Sequence, residues 1–225
     1  ARQPEKSRQA AAQVFERLRE MIVSLELPPG SVINRQELQL RFGFSSTPVR
    51  DALTRLAEED LVAIFPQSAT RVTLIDVAAA RQAQFLRRAV EQEAVRLLAA
   101  LPEKDFVAGL KDIIDRQKKA AAKDDVDLFY ALDRDFHRAM IEAAGAPDLF
   151  TLVRQRSGHI DRIRRLHLPV AGKMQQIVRD HGLIVKALAA GDAAKAQAHV
   201  RDHLSRSLAY SPALREKHPA YFAGA

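Results

Sequence analysis

The chain has no cysteine. Disulfide staples, thiolate metal sites and cysteine nucleophiles are therefore excluded together, and a reducing, cytoplasmic setting is expected. No run approaches the roughly 18 apolar residues that a membrane span needs. The start, with Arg2, Glu5, Lys6 and Arg8, is polar, so neither a transmembrane helix nor a secretory signal is expected. Internal repeats and low-complexity segments are also missing. What remains is an ordinary globular composition: 225 residues, 47% hydrophobic and 28% charged. That length allows one large domain or two modest ones, each with a real core, and the composition excludes wholesale disorder.

Charge alone does not reveal a partner. The 35 Lys and Arg outnumber the 28 Asp and Glu by seven, which invites a nucleic-acid reading. Yet residues 1–74 hold 10 basic and 9 acidic side chains, and the excess lies in residues 75–225, including Arg154, Arg156, Arg162, Arg164 and Arg165. The case for DNA has to come from motifs.

A single strand-like stretch stands out. Leu61–Phe65 and Thr70–Leu74 are short β-branched and apolar runs around Pro66-Gln67-Ser68-Ala69, the pattern of a hairpin. Before it, helical spacing marks a helix from about Gln9 to Leu25, stopped by Pro28-Pro29-Gly30. A short helix holds Leu38, Leu40 and Phe42, and a third opens at Ser46-Thr47-Pro48 and buries Val49, Ala52, Leu53 and Leu56. After the hairpin six Ala-rich helices are expected, at about 76–101, 103–122, 126–144, 147–167, 171–190 and 192–209. The fold class is thus mainly α: a winged helix-turn-helix over 1–75, an all-α bundle over 76–210, and a tail over 211–225.

In a winged helix-turn-helix the third helix enters the major groove and the wing touches phosphate. The face of this third helix opposite the core carries Thr47, Arg50, Asp51, Thr54, Arg55 and Glu58, with Arg50 and Thr54 four apart. Leu27-Pro28-Pro29-Gly30-Ser31, Glu37-Leu38 and the stretch Phe42 to Leu53 with Ser46-Thr47-Pro48-Val49-Arg50-Asp51 strongly resemble the GntR family of bacterial transcription regulators, over about residues 14–74. The resemblance implies DNA contacts from Arg35, Gln36, Ser46, Thr47, Arg50, Thr54 and, on the wing, Arg71. Three positions depart from the family pattern. Ser46 and Gln36 stand where arginines are usual, and Ala69 replaces a wing glycine; Arg35, one place early, is a partial substitute. The family's common operator sequence is therefore not assumed.

In the second part, polar residues interrupt apolar stripes. Asp133 and His137 break the stripe of Val126, Phe129, Phe136, Met140 and Ile141. His181 breaks that of Ile177, Val178, Ile184, Val185 and Leu188, and His203 shares a face with Val200, Leu204 and Leu208. Asp135 and His199 fall on polar faces instead. Buried carboxylates and imidazoles must be paired, and a cation satisfies all four at once. The donor set of Asp133, His137, His181 and His203 suits zinc or nickel, with manganese possible in principle, and not Cu(I). Because neutral imidazole ligates, affinity is expected to fall below about pH 6.5. His159 and His167 are taken as surface or dimer-face residues.

This pattern resembles the FCD effector domain of the FadR-type branch of the same family. The matches are Asp133-x-x-Phe136-His137, Asp180-His181, His203 and Arg87-x-x-Val90-Glu91, over about 81–209. Six helices point to its shorter, VanR-like version. The resemblance implies that Arg87 faces an effector cavity and that the effector is a small organic acid. It also implies a homodimer on a pseudo-palindromic double-stranded DNA operator, more often as repressor than activator. Two rivals stay open: constitutive DNA binding with a purely structural metal, and a metal hydrolase. The second needs a general base, and no inward carboxylate besides Asp133 is visible.

Overall fold

The computed structural model describes residues 2–65, 69–102 and 104–224, residues 2–7 by their backbone only. The hairpin turn residues Pro66, Gln67 and Ser68, and Glu103 at the expected start of a helix, lie outside the described residues. The chain divides into two compact units, Ala1–Val77 with Arg215–Ala225, and Ala78–Leu214.

The first unit runs α1 (Arg2–Val23), β1 (Val32–Ile33), α2 (Arg35–Phe42), α3 (Ser46–Glu58), β2 (Val62–Ile64) and β3 (Thr70–Val72). Val14, Leu18 and Ile22 of α1 meet Val49, Leu53 and Leu56 of α3 and Val62 and Val72 of the wing in one core. The side chain of Asn34 caps α2 by accepting from the amides of Gln36 and Glu37, and Gly43, at φ 67°, closes it in the left-handed region. For α3 the cap is Ser45 rather than Ser46, and its hydroxyl makes no capping bond. The hairpin gains a strand that the sequence did not announce. β1 pairs antiparallel with β3, Val32 opposite Arg71 and Ile33 opposite Thr70, so the sheet order is β1-β3-β2. Two residues are too few to show alternation, but they satisfy an edge that β2 leaves open.

The expected tail is not a tail. Ser211–Lys217 form a helix, and Pro219–Tyr221 a 3₁₀ turn. Ile75 donates to the Tyr221 carbonyl at 2.8 Å and accepts from the Ala223 amide at 3.0 Å, and Phe222 is 1% exposed. The C-terminal segment is thus part of the first unit.

The second unit holds α4 (Val77–Ala100), α5 (Phe106–Ala122), α6 (Val126–Ala143), α7 (Pro147–Arg156), α8 (Gly158–His167), α9 (Lys173–Ala189) and α10 (Ala193–Ala209). α5 packs on both α6 and α9, and α10 lies along α9. Their shared core includes Val95, Leu98, Leu110, Phe136, Met140, Ile184, Leu188, Val200 and Leu204. The single helix expected over 147–167 is broken, which makes seven helices here among the described residues rather than six. At the break the Ser157 hydroxyl bonds the Arg154 carbonyl at 2.9 Å and Asp161 at 2.5 Å, and Gly158 follows. A Ser-Gly pair offers the backbone exactly this kind of local alternative to the helical ladder. α8 then buries the histidines expected at the surface. His159 is 6% exposed and bonded to the guanidinium of Arg162, and His167 is 3% exposed with its ring 3.9 Å from that of Tyr210. Burial first, then Lys173, pushes the His167 imidazole down to about 4.

Candidate functional site

The first unit presents a polar face. Thr47, Arg50 and Thr54 of α3, Ser46 at its start, and Arg35 and Gln36 at the start of α2 are all exposed. Arg50 has 70% of its side chain exposed, with Asp51 3.7 Å away, and the Thr54 hydroxyl donates to the Arg50 carbonyl. Arg35 reaches the wing, donating to the Thr70 hydroxyl at 3.2 Å, and Arg71 donates to the Gly30 carbonyl at 3.4 Å. Arg55, also exposed, lies over the Phe15 ring of α1 at 4.0 Å.

The second unit brings the four stripe-breaking residues together. Asp133 and His137 of α6, His181 of α9 and His203 of α10 are buried, and one ligand atom of each lies within 4.8 Å of all the others. The Nε2 atoms of His181 and His203 are 3.3 Å apart, and those of His203 and His137 are 3.4 Å apart. Each ring is held from behind. His137 Nδ1 donates to Glu91 Oε2 at 2.6 Å, His181 Nδ1 to the Gln117 carbonyl oxygen at 2.9 Å, and His203 Nδ1 to Asp180 Oδ2 at 3.4 Å. Each partner atom is an acceptor, so the proton sits on Nδ1 and the Nε2 lone pairs face inward. The His181 ring also stacks on Phe136, centroids 3.9 Å apart and planes 8° from parallel.

Electrostatics point the same way. Burial pushes the His137 imidazole down to about 4, reinforced by Arg87, against the pull of Glu91. Burial and the neighbouring His203 hold His181 well below its ordinary value. Burial alone would raise the two carboxylates. Arg87 and His137 nevertheless hold Glu91 at about 2, and Arg164 with His137 and His181 holds Asp133 far below the usual range. The site therefore holds an ionised Asp133 beside His137 and His181 imidazoles that burial keeps neutral. Asp133 Oδ1, fully buried, has no hydrogen-bond partner. Three converging lone pairs and an orphaned carboxylate oxygen fit a divalent cation, the one group that would satisfy all of them.

Arg87 does face inward, 7% exposed. Its Nε donates to Glu91 Oε1 at 2.6 Å, and its terminal nitrogens have no hydrogen-bond partner among the described residues. The expectation that Asp133 is the sole inward carboxylate is corrected: Glu91 is 1% exposed. Both Glu91 oxygens are engaged, however, on the far side of His137, which leaves it no part as a base. Gln117 was missed by the sequence reading, and Glu91, Arg164 and Asp180, though named in it, were given no part in the site. Arg87 and Glu91, four apart on the buried face of α4, and Gln117 on that of α5, interrupt stripes just as Asp133 and His137 do. The same test applied to those helices finds them. Asp135 and His199 are half-buried and outside the cluster.

Comparison with known proteins agrees with both halves. Residues 10–72 match the bacterial regulatory proteins of the gntR family, and residues 70–206 match the FCD domain. A relative described as an HTH-type transcriptional regulator in an unstable DNA locus of Streptomyces ambofaciens is 36% identical over 211 residues, covering 93% of this chain and 88% of its own. The HTH-type transcriptional repressor RspR of Escherichia coli is 26% identical over 93% of this chain and 92% of its own. Among solved structures, E. coli McbR/YncC shares the fold with a TM-score of 0.79 at 20% identity, covering 93% of this chain and 98% of that one. No helix is long and apolar enough to cross a membrane among the described residues. With a family match over more than half its length, the chain belongs to the GntR family as a DNA-binding transcriptional regulator carrying an FCD domain, and it is not an enzyme.

Proposed function

We propose that the second unit binds zinc through Asp133, His137, His181 and His203, and that Arg87 receives a small carboxylate effector. In this reading the protein is a homodimeric repressor that leaves its operator when the effector binds. One observation carries the reading: one ligand atom each of Asp133, His137, His181 and His203 lies within 4.8 Å of the others, and the buried Asp133 Oδ1 has no hydrogen-bond partner among the described residues. Two nitrogens each about 2.0–2.1 Å from a tetrahedral zinc lie roughly 3.3–3.4 Å apart, which the imidazole spacings match. Nickel and manganese take the same donors and are the competing ions. When bound, the metal supplies a Lewis-acid position for a carboxylate oxygen.

The chain's own residues do the rest. Glu91, Gln117 and Asp180 fix the imidazole tautomers, so the rings are preorganised. The two terminal nitrogens of Arg87 offer the fork that grips a carboxylate. In the first unit Arg50, Thr47, Thr54 and Ser46 would meet base edges, and Arg35, Gln36 and Arg71 phosphate or groove walls. One short helix reads few bases, so two copies on a pseudo-palindrome are expected. The repressing direction is drawn from the E. coli relative described as a repressor.

The Arg87–Glu91 ion pair favours a second reading, in which the metal merely pins three helices and DNA binding is constitutive. Operator release decides between them. Zinc-loaded full-length protein on its operator is titrated with a panel of organic acids and followed by mobility shift. Release by one acid, abolished in Arg87→Met, supports the effector reading; indifference to every acid supports the structural one.

A further inference from the structure

The two oxygens of Asp133 are treated differently. Oδ2 accepts from Nη2 of Arg164, a residue of α8, which contributes no imidazole to the cluster. Oδ1 is buried without a hydrogen-bond partner among the described residues, 3.6 Å from His181 Nε2, while Oδ2 also lies 3.9 Å from His137 Nε2. Arg164 is itself anchored, with Nη1 donating to Asp161 Oδ1 at 3.2 Å and only 14% of its side chain exposed. The planar fork thus spans Asp133 and Asp161, an arrangement that a lysine ammonium, a point charge, does not reproduce.

We propose that Arg164 is a positioning residue for the metal site: by holding Asp133 Oδ2 it leaves Oδ1 as the one oxygen that Asp133 turns to the cation. The proposal rests on the metal reading above. Its opposite is an Arg164 that competes with the cation for Asp133 as a built-in counter-ion. The two differ in sign. A competitor, or any positive charge near a cation, weakens metal binding, so its removal tightens it. A positioning residue strengthens binding, so its removal weakens it in spite of the lost repulsion.

The test measures zinc affinity of the full chain by competition with a chromophoric chelator, for wild type, Arg164→Met and Arg164→Lys, with far-ultraviolet circular dichroism as the fold control. Removing a group that orients a metal ligand typically costs about 10–100-fold in affinity, and that loss is expected for Arg164→Met. Arg164→Lys, keeping charge and one donor, should fall between it and wild type. Cobalt(II) gives a signature that general destabilisation does not. If Oδ2 is freed to bind, the coordination number rises and the visible bands of Arg164→Met weaken relative to wild type. Affinity equal to or above wild type in Arg164→Met, or superimposable cobalt spectra, overturns the proposal. Should Arg164→Met lose its helical signal, Arg164→Lys decides alone, and wild-type affinity there overturns it. A wild-type chain that takes up neither zinc nor cobalt instead defeats the metal reading itself.

Discussion

Lowering the pH of the metal-free chain from 7 to 4.5 probes the burial of the imidazoles directly. Burial holds His137 at about 4 against an ordinary 6.5, so the unfolded chain binds a proton there that the folded chain refuses. For such a group stability is present above the unfolded value and is lost as the pH falls from 6.5 toward 4. Integrated between pH 7 and 4.5, His137 alone accounts for about 2 kcal/mol. His181 is displaced in the same direction and adds in the same sense. Glu91 sits at about 2 against an ordinary 4.5, so its contribution begins to fade at the acid end of this window, in the same sense as the imidazoles, and is lost mostly below pH 4.5. A chain of two units need not unfold in one step, so the assay has to be local. Hydrogen exchange of the α6 and α9 amides in chelator-stripped protein gives the opening free energy, and proton NMR of the His137 ring gives its titration. Opening should become easier by at least about 2 kcal/mol across the window. Amide stabilities that stay level from pH 7 to 4.5, or a His137 ring titrating near 6.5, would refute the reasoning.

Other substitutions test the remaining parts. Arg50→Ala should leave both units folded and cost about 1–3 kcal/mol of operator affinity per half-site at fixed salt, read by fluorescence anisotropy. His181→Ala should lose bound zinc in elemental analysis whereas His199→Ala keeps it, since His199 lies outside the cluster. Phe222→Ala, at 1% exposure, should destabilise the first unit by about 3–5 kcal/mol in urea, and a change under 1 kcal/mol would mean that the segment is dispensable there.

Much of the site was legible because a polar residue inside an apolar stripe is visible in one dimension. Asp133, His137, His181 and His203 each break a 3.6-residue period, and the structure buries all four. The layer behind them was legible only in part. Glu91 and Gln117 also break stripes, but nothing local says that Arg164 and Asp180 turn toward Asp133 and His203 on other helices. Long-range pairing was hidden altogether. β1 exists because Val72 of β3 donates to the Ser31 carbonyl and accepts from Gly30 across some 40 residues of chain. The break at Ser157 was readable in principle, since Ser-Gly inside a helical run is a known place for a ladder to fail.

The C-terminal segment was the largest misreading, and its cause is physical. Residues 211–225 carry two prolines and no helical or alternating period, so composition makes them a tail. What orders them is the pairing of Ile75 with Tyr221 and Ala223, contacts invisible at short range. The consequence lies in chain connectivity. The polypeptide leaves the first unit after Val77 and returns at Arg215, inside the helix Ser211–Lys217 that follows α10 and its His203. Ile75, two residues before the outgoing crossing, is hydrogen-bonded to the stretch that follows the returning one. The all-α unit is thus tied to the DNA-binding unit at both of its ends, and a segment closed at both ends has less conformational freedom to lose than a free tail. Along the chain, α10 with His203 is followed by the segment that pairs with Ile75.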